Sequence, residues 1–407
     1  MEKILYVAST YGHIKSFHLQ YIKELLEKGY EVHIAAHGVA GIDKDSTFKD
    51  ITFIDIPFEK RMFSIGNFCC AIMLKKQIQN ERYSIISVHT SLAAFFTRIA
   101  ALLSKKDRPV VINTVHGYLF DENTSTIKKN VLILAEKLTK KATDVLVVMN
   151  NQDYDLAKKY GLYKNKLIKI NGYGIDCKRF SRENVLSEIL KSESFEDNTD
   201  QIESNYKDIR GFERNKLGFS KEDILLIYAA EFSNRKNQKM LIRAMDGLPD
   251  NVKLLLAGKG QTLEECKQLS ASLGYMNKEN INYKMLEQRV FFLGHISNLE
   301  YYYFISDICV SSSRSEGLPF NIMEAMAMGL PVVATKVKGH EDLIEDGVNG
   351  FLYDYDKDSQ YEAAVIKMSD NIKTGKCVKI EQDNINKAHK YAIENVKNDI
   401  LRILSSI

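Results

Sequence analysis

The stretch SRSEGLPFNIMEAMAMGLPVVAT, residues 313–335, decides how the second half of this chain is read. Glu316 stands before a Gly-Leu-Pro turn, and Glu324 stands inside a run with helical spacing. The text just before it, DICVSSS, reads as a strand, so Arg314 to Pro319 form the loop at its carboxyl end. Pro319 keeps Leu318 out of the α region and suits a helix start. From Phe320 the spacing of Ile322, Met323, Ala325, Met326 and Ala327 predicts a helix ended by Gly329 and Pro331, and VVAT is the next strand. The amides of Gly317, Leu318 and Phe320 then form a seat for an anion, with a carboxylate on either side. A phosphorylated ligand carrying hydroxyl groups fits such a seat. A glutamate near a helix start is also favourable with the helix dipole alone, so the pair needs company to carry a function.

Working outward, the same alternation of strand and helix fills both halves of the chain. ILYVAS, EVHIAAH, Ile51 to Ile56, SIISVHT, PVVINTVHG and TDVLVVMN read as strands, with helices over Phe17 to Lys28 and Ile65 to Asn80. Lys169 to Phe180 is turn-rich, and Ser181 to Asn215 is polar and poorly patterned, with helical text only around Asn184 to Leu190. Alternation resumes with DILLIYAAEFS, a helix near Gln238 to Met245, VKLLLAGKG, a helix near Leu263 to Leu273, and RVFFLGH. Ile385 to Ile407 reads as one closing helix with Ala388, Ala392, Val396, Ile400, Leu401 and Leu404 on one side. The pattern predicts an α/β protein of two Rossmann-like domains facing each other across a cleft. The expected boundaries are 1–180 for the first domain, 181–215 for a linker or insertion, 216–384 for the second domain, and 385–407 for a helix able to pack back on the first.

Composition narrows the classes. The 407 residues are 45% apolar and 27% charged, an ordinary globular balance too long for one modest core. A net charge of +3 lacks the basic footprint of a nucleic-acid binder. Six cysteines without a CxxC fit neither a disulfide framework nor a structural zinc site, and point to a reducing, cytoplasmic setting. The apolar run in MEKILYVASTYGHI is too short for a signal peptide or a membrane span, and no later run reaches spanning length.

Other strand ends supply the company. Gly12 in YGHI, expected in the loop after the first strand, lets a phosphate or sugar approach the backbone. His116, ending PVVINTVHG, can donate to a sugar or phosphate oxygen. Arg235 and Lys236 are adjacent after DILLIYAAEFS and make a candidate diphosphate clamp. Gly258, closing VKLLLAGKG, marks a second Gly-rich turn. Each feature alone equally suits an ordinary turn or a solvated surface.

Together these residues resemble the retaining GT-B glycosyltransferases of family 4, best the bacterial members that build capsular or exopolysaccharide repeat units. The likeness runs from TYGHIKSFHLQYIKELLEKGYEVHIAAHG through VHGYLF, TDVLVVMNNQDYDLAKKY, GYGIDCKRF and AAEFSNRKNQKMLIRAM to EGLPFNIMEAMAMGLPVVAT. Its most specific feature is the E-x7-E pattern of Glu316 and Glu324. The resemblance implies that Glu316 contacts the transferred sugar and that Glu324 holds the nucleotide ribose. It assigns Lys236 to the diphosphate, His116 to the donor sugar and acceptor hydroxyl, and Gly12 to the donor phosphates. It further implies a nucleotide diphosphate sugar as donor, most commonly a UDP-sugar, a glycan or lipid-linked oligosaccharide as acceptor, and no metal or other cofactor.

One departure stands out. The family's Gly-Arg, six and five residues before the lysine, is here Ala230-Glu231, and Arg235 is the candidate to compensate. A UDP-sugar 2-epimerase on the same architecture, a non-catalytic nucleotide-sugar or glycan binder, and a nicotinamide-dependent oxidoreductase are the rivals. The last predicts a compact G-x-G-x-x-G after the first strand, where this chain has YGHIKS. Basic and apolar residues mix in FEKRMFSIGNFCCAIMLKKQ and STIKKNVLILAEKLTKKATD, segments suited either to peripheral contact with anionic lipid at the inner face of the cell membrane or to ordinary surface helices.

Overall fold

The computed structural model describes residues 2–40, 42, 49–62, 64–104, 108–121, 124–192, 202–276 and 288–405. The chain forms two compact units, Met1–Gly174 with Glu394–Ile407, and Ile175–Ile393. In unit 1 the strands are β1 (Lys3–Thr10), β2 (Glu31–His37), β3 (Ile51–Asp55), β4 (Ile85–His89), β5 (Val110–Val115), β6 (Val145–Val148) and β7 (Lys166–Lys169). All are parallel, in the order β3-β2-β1-β4-β5-β6-β7. The helices are α1 (Tyr11–Phe17), α2 (Leu19–Glu27), α3 (Ile65–Glu81), α4 (Ser91–Leu103), α5 (Thr126–Thr139) and α6 (Asn151–Tyr160). A parallel sheet covered on both faces buries consecutive residues rather than alternate ones. Ile4 to Ala8 of β1 and all of β4 are accordingly buried.

Unit 2 begins with α7 (Arg182–Ser192) and α8 (Ile202–Lys216). Its strands are β8 (Ile224–Ala229), β9 (Val252–Ala257), β10 (Val290–Gly294), β11 (Ile308–Ser311), β12 (Val332–Thr335) and β13 (Gly350–Tyr353), parallel in the order β10-β9-β8-β11-β12-β13. Its further helices are α9 (Gln238–Ala244), α10 (Leu263–Ser272), α11 (Leu299–Ile305), α12 (Phe320–Ala327), α13 (His340–Leu343), α14 (Asp358–Lys373) and α15 (Cys377–His389), and α16 (Ile393–Ser405) returns the chain to unit 1. Both sheets therefore reverse strand order beside their first strand, between β1 and β4 and between β8 and β11. Doubly wound sheets bind ligands at such switch points, outside the strand carboxyl ends. Two α/β units of this Rossmann-like, GT-B kind match the fold class expected.

Several local expectations are corrected. Gly12 and His13 lie in the first turn of α1, not in a loop. Strand β7 falls within and just before text read as turns, and α8 occupies text read as unpatterned. The closing helix is two helices broken at Lys390–Ala392. Ile175 makes the break: its amide donates to Tyr391 O at 2.9 Å, and Ile393 N donates to Ile175 O at 3.0 Å. Lys397 of α16 pairs with Glu24 of α2 inside unit 1.

Candidate active site

In unit 2 the switch point gathers the charged residues. The chain leaving β8 turns through Asn237, which holds a left-handed backbone (φ 56°) just before α9. Ser312, just past β11, donates to Lys236 O at 2.9 Å and Asn237 O at 3.0 Å. Arg314 N donates to Arg235 O at 2.9 Å, so the loops after β8 and β11 are stitched together. This stitching fixes where Lys236 and Glu316 meet. Lys236 Nζ lies 2.5 Å from Glu316 Oε1, and Arg235 lies 3.1 Å from Glu316 Oε2. Ser313 Oγ donates to Glu316 Oε1 at 2.5 Å and lies 2.9 Å from the Tyr228 hydroxyl.

Glu316 is 7% exposed. Burial alone would raise its carboxyl, but the Lys236 and Arg235 cations outweigh it and hold the pKa at about 2. Glu316 is thus ionised and locked, with its oxygens already engaged by three donors.

Glu324 is its opposite. It stands in the second turn of α12, partly exposed, and its carboxylate accepts no hydrogen bond among the described residues. Burial pushes its carboxyl up to about 7; the Arg179 guanidinium works against that shift, and Glu300 adds to it. Arg179 is itself engaged by Glu300, at 2.7 Å. The result is a carboxylate that titrates near neutral pH and has no hydrogen-bond partner among the described residues.

No side chain caps α12, which begins at Phe320 behind an extended Pro319. Its first turn and the preceding Gly317 and Leu318 thus stand beside Glu316. The Asn321 side-chain nitrogen is buried without a hydrogen-bond partner among the described residues. Behind the turn, Gly339 packs so closely that a Cβ would come 2.4 Å from Gly317 O. His340 follows, fully buried, donating from Nδ1 to Thr335 O at 2.7 Å. Burial pushes His340 down to about 4 although Glu316 pulls it up, so it is neutral. Sequence reasoning passed over His340; its signal was its place just after the VVAT strand.

Gly258 ends β9 at φ 145°, and a Cβ there would sit 2.0 Å from Ala230 O. Its packing against the end of β8 accounts for the glycine. Glu231 is exposed. Arg235 is the second cation beside Glu316.

In unit 1, His116 follows β5 and joins a cluster that the sequence reading did not assemble. His13 of α1, His18 between α1 and α2, and His89 at the end of β4 all converge on it. Gly12 stands next to His13, and a Cβ at Gly12 would meet nothing within 4 Å. Structure brings Arg235, Lys236, Glu316, Gly317, Leu318 and Phe320 together in unit 2, with Glu324 a turn away on α12. Gly12 and His116 share the histidine cluster of unit 1.

The chain matches the family described as glycosyl transferases group 1 over residues 209–390, and glycosyltransferase family 4 over residues 17–179. It is 32% identical over 356 residues to EpsD of Bacillus subtilis (strain 168), provisionally described as a glycosyltransferase, covering 86% of this chain and 83% of that one. It is 26% identical to the UDP-Gal:alpha-D-GlcNAc-diphosphoundecaprenol alpha-1,3-galactosyltransferase of Escherichia coli, covering 74% of this chain and 70% of that one. The fold matches the crystal structure of Anabaena Alr3699/HepE in complex with UDP and glucose at a TM-score of 0.73 and 19% identity, with both chains fully covered.

Proposed function

The chain belongs to the GT-B glycosyltransferases of the group 1 and family 4 kind, and on that premise we propose that it transfers a hexose or N-acetylhexosamine from a nucleotide diphosphate sugar, by preference a UDP-sugar, with retention of anomeric configuration. The acceptor is a glycan or polyprenyl-diphosphate-linked oligosaccharide in surface polysaccharide synthesis. The observation that carries the reading is the pairing of Lys236 and Arg235 with a locked Glu316, one helix turn from an unpartnered Glu324.

The leaving nucleotide diphosphate gathers charge on its β-phosphate as the glycosidic bond weakens. Lys236 retains ammonium hydrogens beyond the one given to Glu316, and with Arg235 and the α12 N-terminus it stabilises that charge. Glu324 accepts from the ribose hydroxyls. Glu316 orients the transferred sugar, and His116 serves the sugar and the acceptor hydroxyl. A carboxylate tied to three donors with its pKa at about 2 is a poor nucleophile, which supports a front-face route in which the leaving phosphate oxygen takes the acceptor proton. Transfer itself then uses protein cations and requires no metal.

Unit 1 presents apolar residues outward on α3 and α5. Ile65 is 83% and Ile127 81% exposed, and Phe68, Ile72, Val131, Leu134 and Leu138 are also exposed. Lysines 75, 76, 128 and 129 lie among them. No helix of the described residues is long and apolar enough to cross a membrane. An outward apolar stripe flanked by lysines supports peripheral contact with anionic lipid, which would bring a lipid-linked acceptor to the enzyme. Vesicle binding that falls when those four lysines become glutamate supports this contact; equal binding by both proteins contradicts it.

Hydrolysis of a panel of nucleotide sugars tests the activity without knowledge of the acceptor. At least one donor should release its nucleotide diphosphate. Glu316→Gln and Lys236→Ala should reduce that release by at least about 100-fold, whereas Glu324→Gln should chiefly raise the donor KM. Release of a free epimer, or unchanged hydrolysis in both variants, contradicts the assignment.

A further inference from the structure

Sugar transfer employs His116 and leaves His13, His18 and His89 without a task. Yet the four imidazoles meet in one place. His13 Nε2 lies 3.4 Å from His116 Nε2 and 3.4 Å from His18 Nε2. One ring nitrogen from each of His13, His18 and His116 lies within 4.8 Å of the other two. His89 Nδ1 lies 3.2 Å from His116 Nε2, and its other nitrogen lies 3.0 Å from Ser87 Oγ.

The two 3.4 Å separations, from His13 to His116 and to His18, are long for direct hydrogen bonds between ring nitrogens. They match another geometry. Imidazole nitrogens bind zinc at about 2.0–2.1 Å, which in a tetrahedron sets neighbouring ligand nitrogens about 3.3–3.4 Å apart.

The surroundings fix the rings. Tyr173 stacks on His116 with centroids 5.6 Å apart and meets His18 edge-on at 4.3 Å. Tyr6 stacks on His89 at 5.7 Å. Tyr21 anchors Tyr173 by donating to its carbonyl at 2.7 Å. Thr90, directly after His89, holds φ at 65°, a strained value for a β-branched residue. Its hydroxyl lies 2.7 Å from Ser9 Oγ, which ties the ends of β1 and β4 together.

We propose that His13, His18 and His116 form a three-histidine site for a divalent transition metal of the zinc class, with water or an anionic oxygen as the fourth ligand. All-imidazole donors favour Zn²⁺, Co²⁺, Ni²⁺ or Cu²⁺ over the oxygen-seeking Mg²⁺ and Ca²⁺. A consequence rests on the role given to His116 above: a bound metal takes the lone pair that the sugar or acceptor would use, so metal occupancy inhibits transfer.

Calorimetric titration of Zn²⁺ into the untagged, chelator-treated full chain tests the site, with Co²⁺ absorption reporting its geometry. The result expected is one ion per chain at micromolar affinity or tighter, tetrahedral Co²⁺ bands in the visible, and no displacement by millimolar Mg²⁺. His13→Gln, on the more accessible ligand, and His18→Gln should each weaken Zn²⁺ at least tenfold, while His37→Gln, on an exposed residue, leaves it unchanged. Non-saturating binding, displacement by Mg²⁺, or equal affinity in a folded His13→Gln overturns the site. Tight binding at these histidines without inhibition of donor turnover keeps the site and removes His116 from the catalytic reading.

Discussion

Glu316 and Glu324 carry the same side chain eight positions apart, and their surroundings drive them in opposite directions. Glu316 is held at about 2 by Lys236 and Arg235 against the cost of burial. Its depressed value contributes stability above the ordinary glutamate range, lost as pH falls toward 2. Glu316→Gln removes this and leaves Lys236 facing a neutral group, so urea unfolding at pH 7 should show a loss of about 2–4 kcal/mol. Glu324 is raised to about 7, mainly by burial. Between the ordinary glutamate value and 7 the fold holds a proton that the unfolded chain has released, so this group's contribution declines as pH rises through that window. Glu324→Gln should therefore gain stability relative to the parent between pH 5 and 8, by about 1–3 kcal/mol at most. Ribose hydroxyls donate best to the ionised carboxylate, so UDP affinity of the parent should rise from pH 6 to 8, and calorimetry should find the Glu324→Gln profile flatter. These carboxylates were legible in sequence because their spacing is local. The histidine cluster was not, because its members come from three separated segments, residues 13–18, the end of β4 and the turn after β5, and only the fold adds them together.

Elements divide in the same way. Strands β1, β2, β4, β8 and β9 announce themselves as apolar β-branched runs between turns, and α12 by its Pro and Gly boundaries. Helix α1 hides because Thr10 makes no side-chain cap and Gly12 lies in its first turn. The break between α15 and α16 hides because no Gly or Pro marks it; Ile175, more than 200 residues earlier in sequence, imposes it through backbone hydrogen bonds. Two glycines test this scale. Gly258→Ala places a Cβ against Ala230 O at a backbone angle only glycine holds comfortably, and thermal melting should register a loss of roughly 2 kcal/mol or more. Gly12→Ala meets no neighbour and fills a helical position, so stability should hold or rise by about 0.5–1 kcal/mol. The sequence expectation that the donor approaches the Gly12 backbone predicts that the same variant loses donor affinity while keeping its fold.

At the scale of the whole molecule, one architectural rule is applied twice. Each unit is a parallel doubly wound sheet, and in each the chemistry gathers where strand order reverses: histidines beside β1 and β4, and the Lys-Arg-Glu group beside β8 and β11. Alternating strand and helix text made two such units legible from sequence. The order of strands within each sheet was not written in any local pattern, since it follows from crossover packing among distant segments. The return of the chain to unit 1 at Glu394 likewise depends on tertiary contacts.

Every catalytic role proposed above depends on unit 2 seating the nucleotide diphosphate of the donor. A crystal structure of the full chain with UDP measures this directly. The diphosphate is expected within hydrogen-bond reach of Lys236 Nζ and the α12 N-terminus, with the ribose hydroxyls on Glu324. A nucleotide bound away from both Lys236 and Glu324 would contradict it.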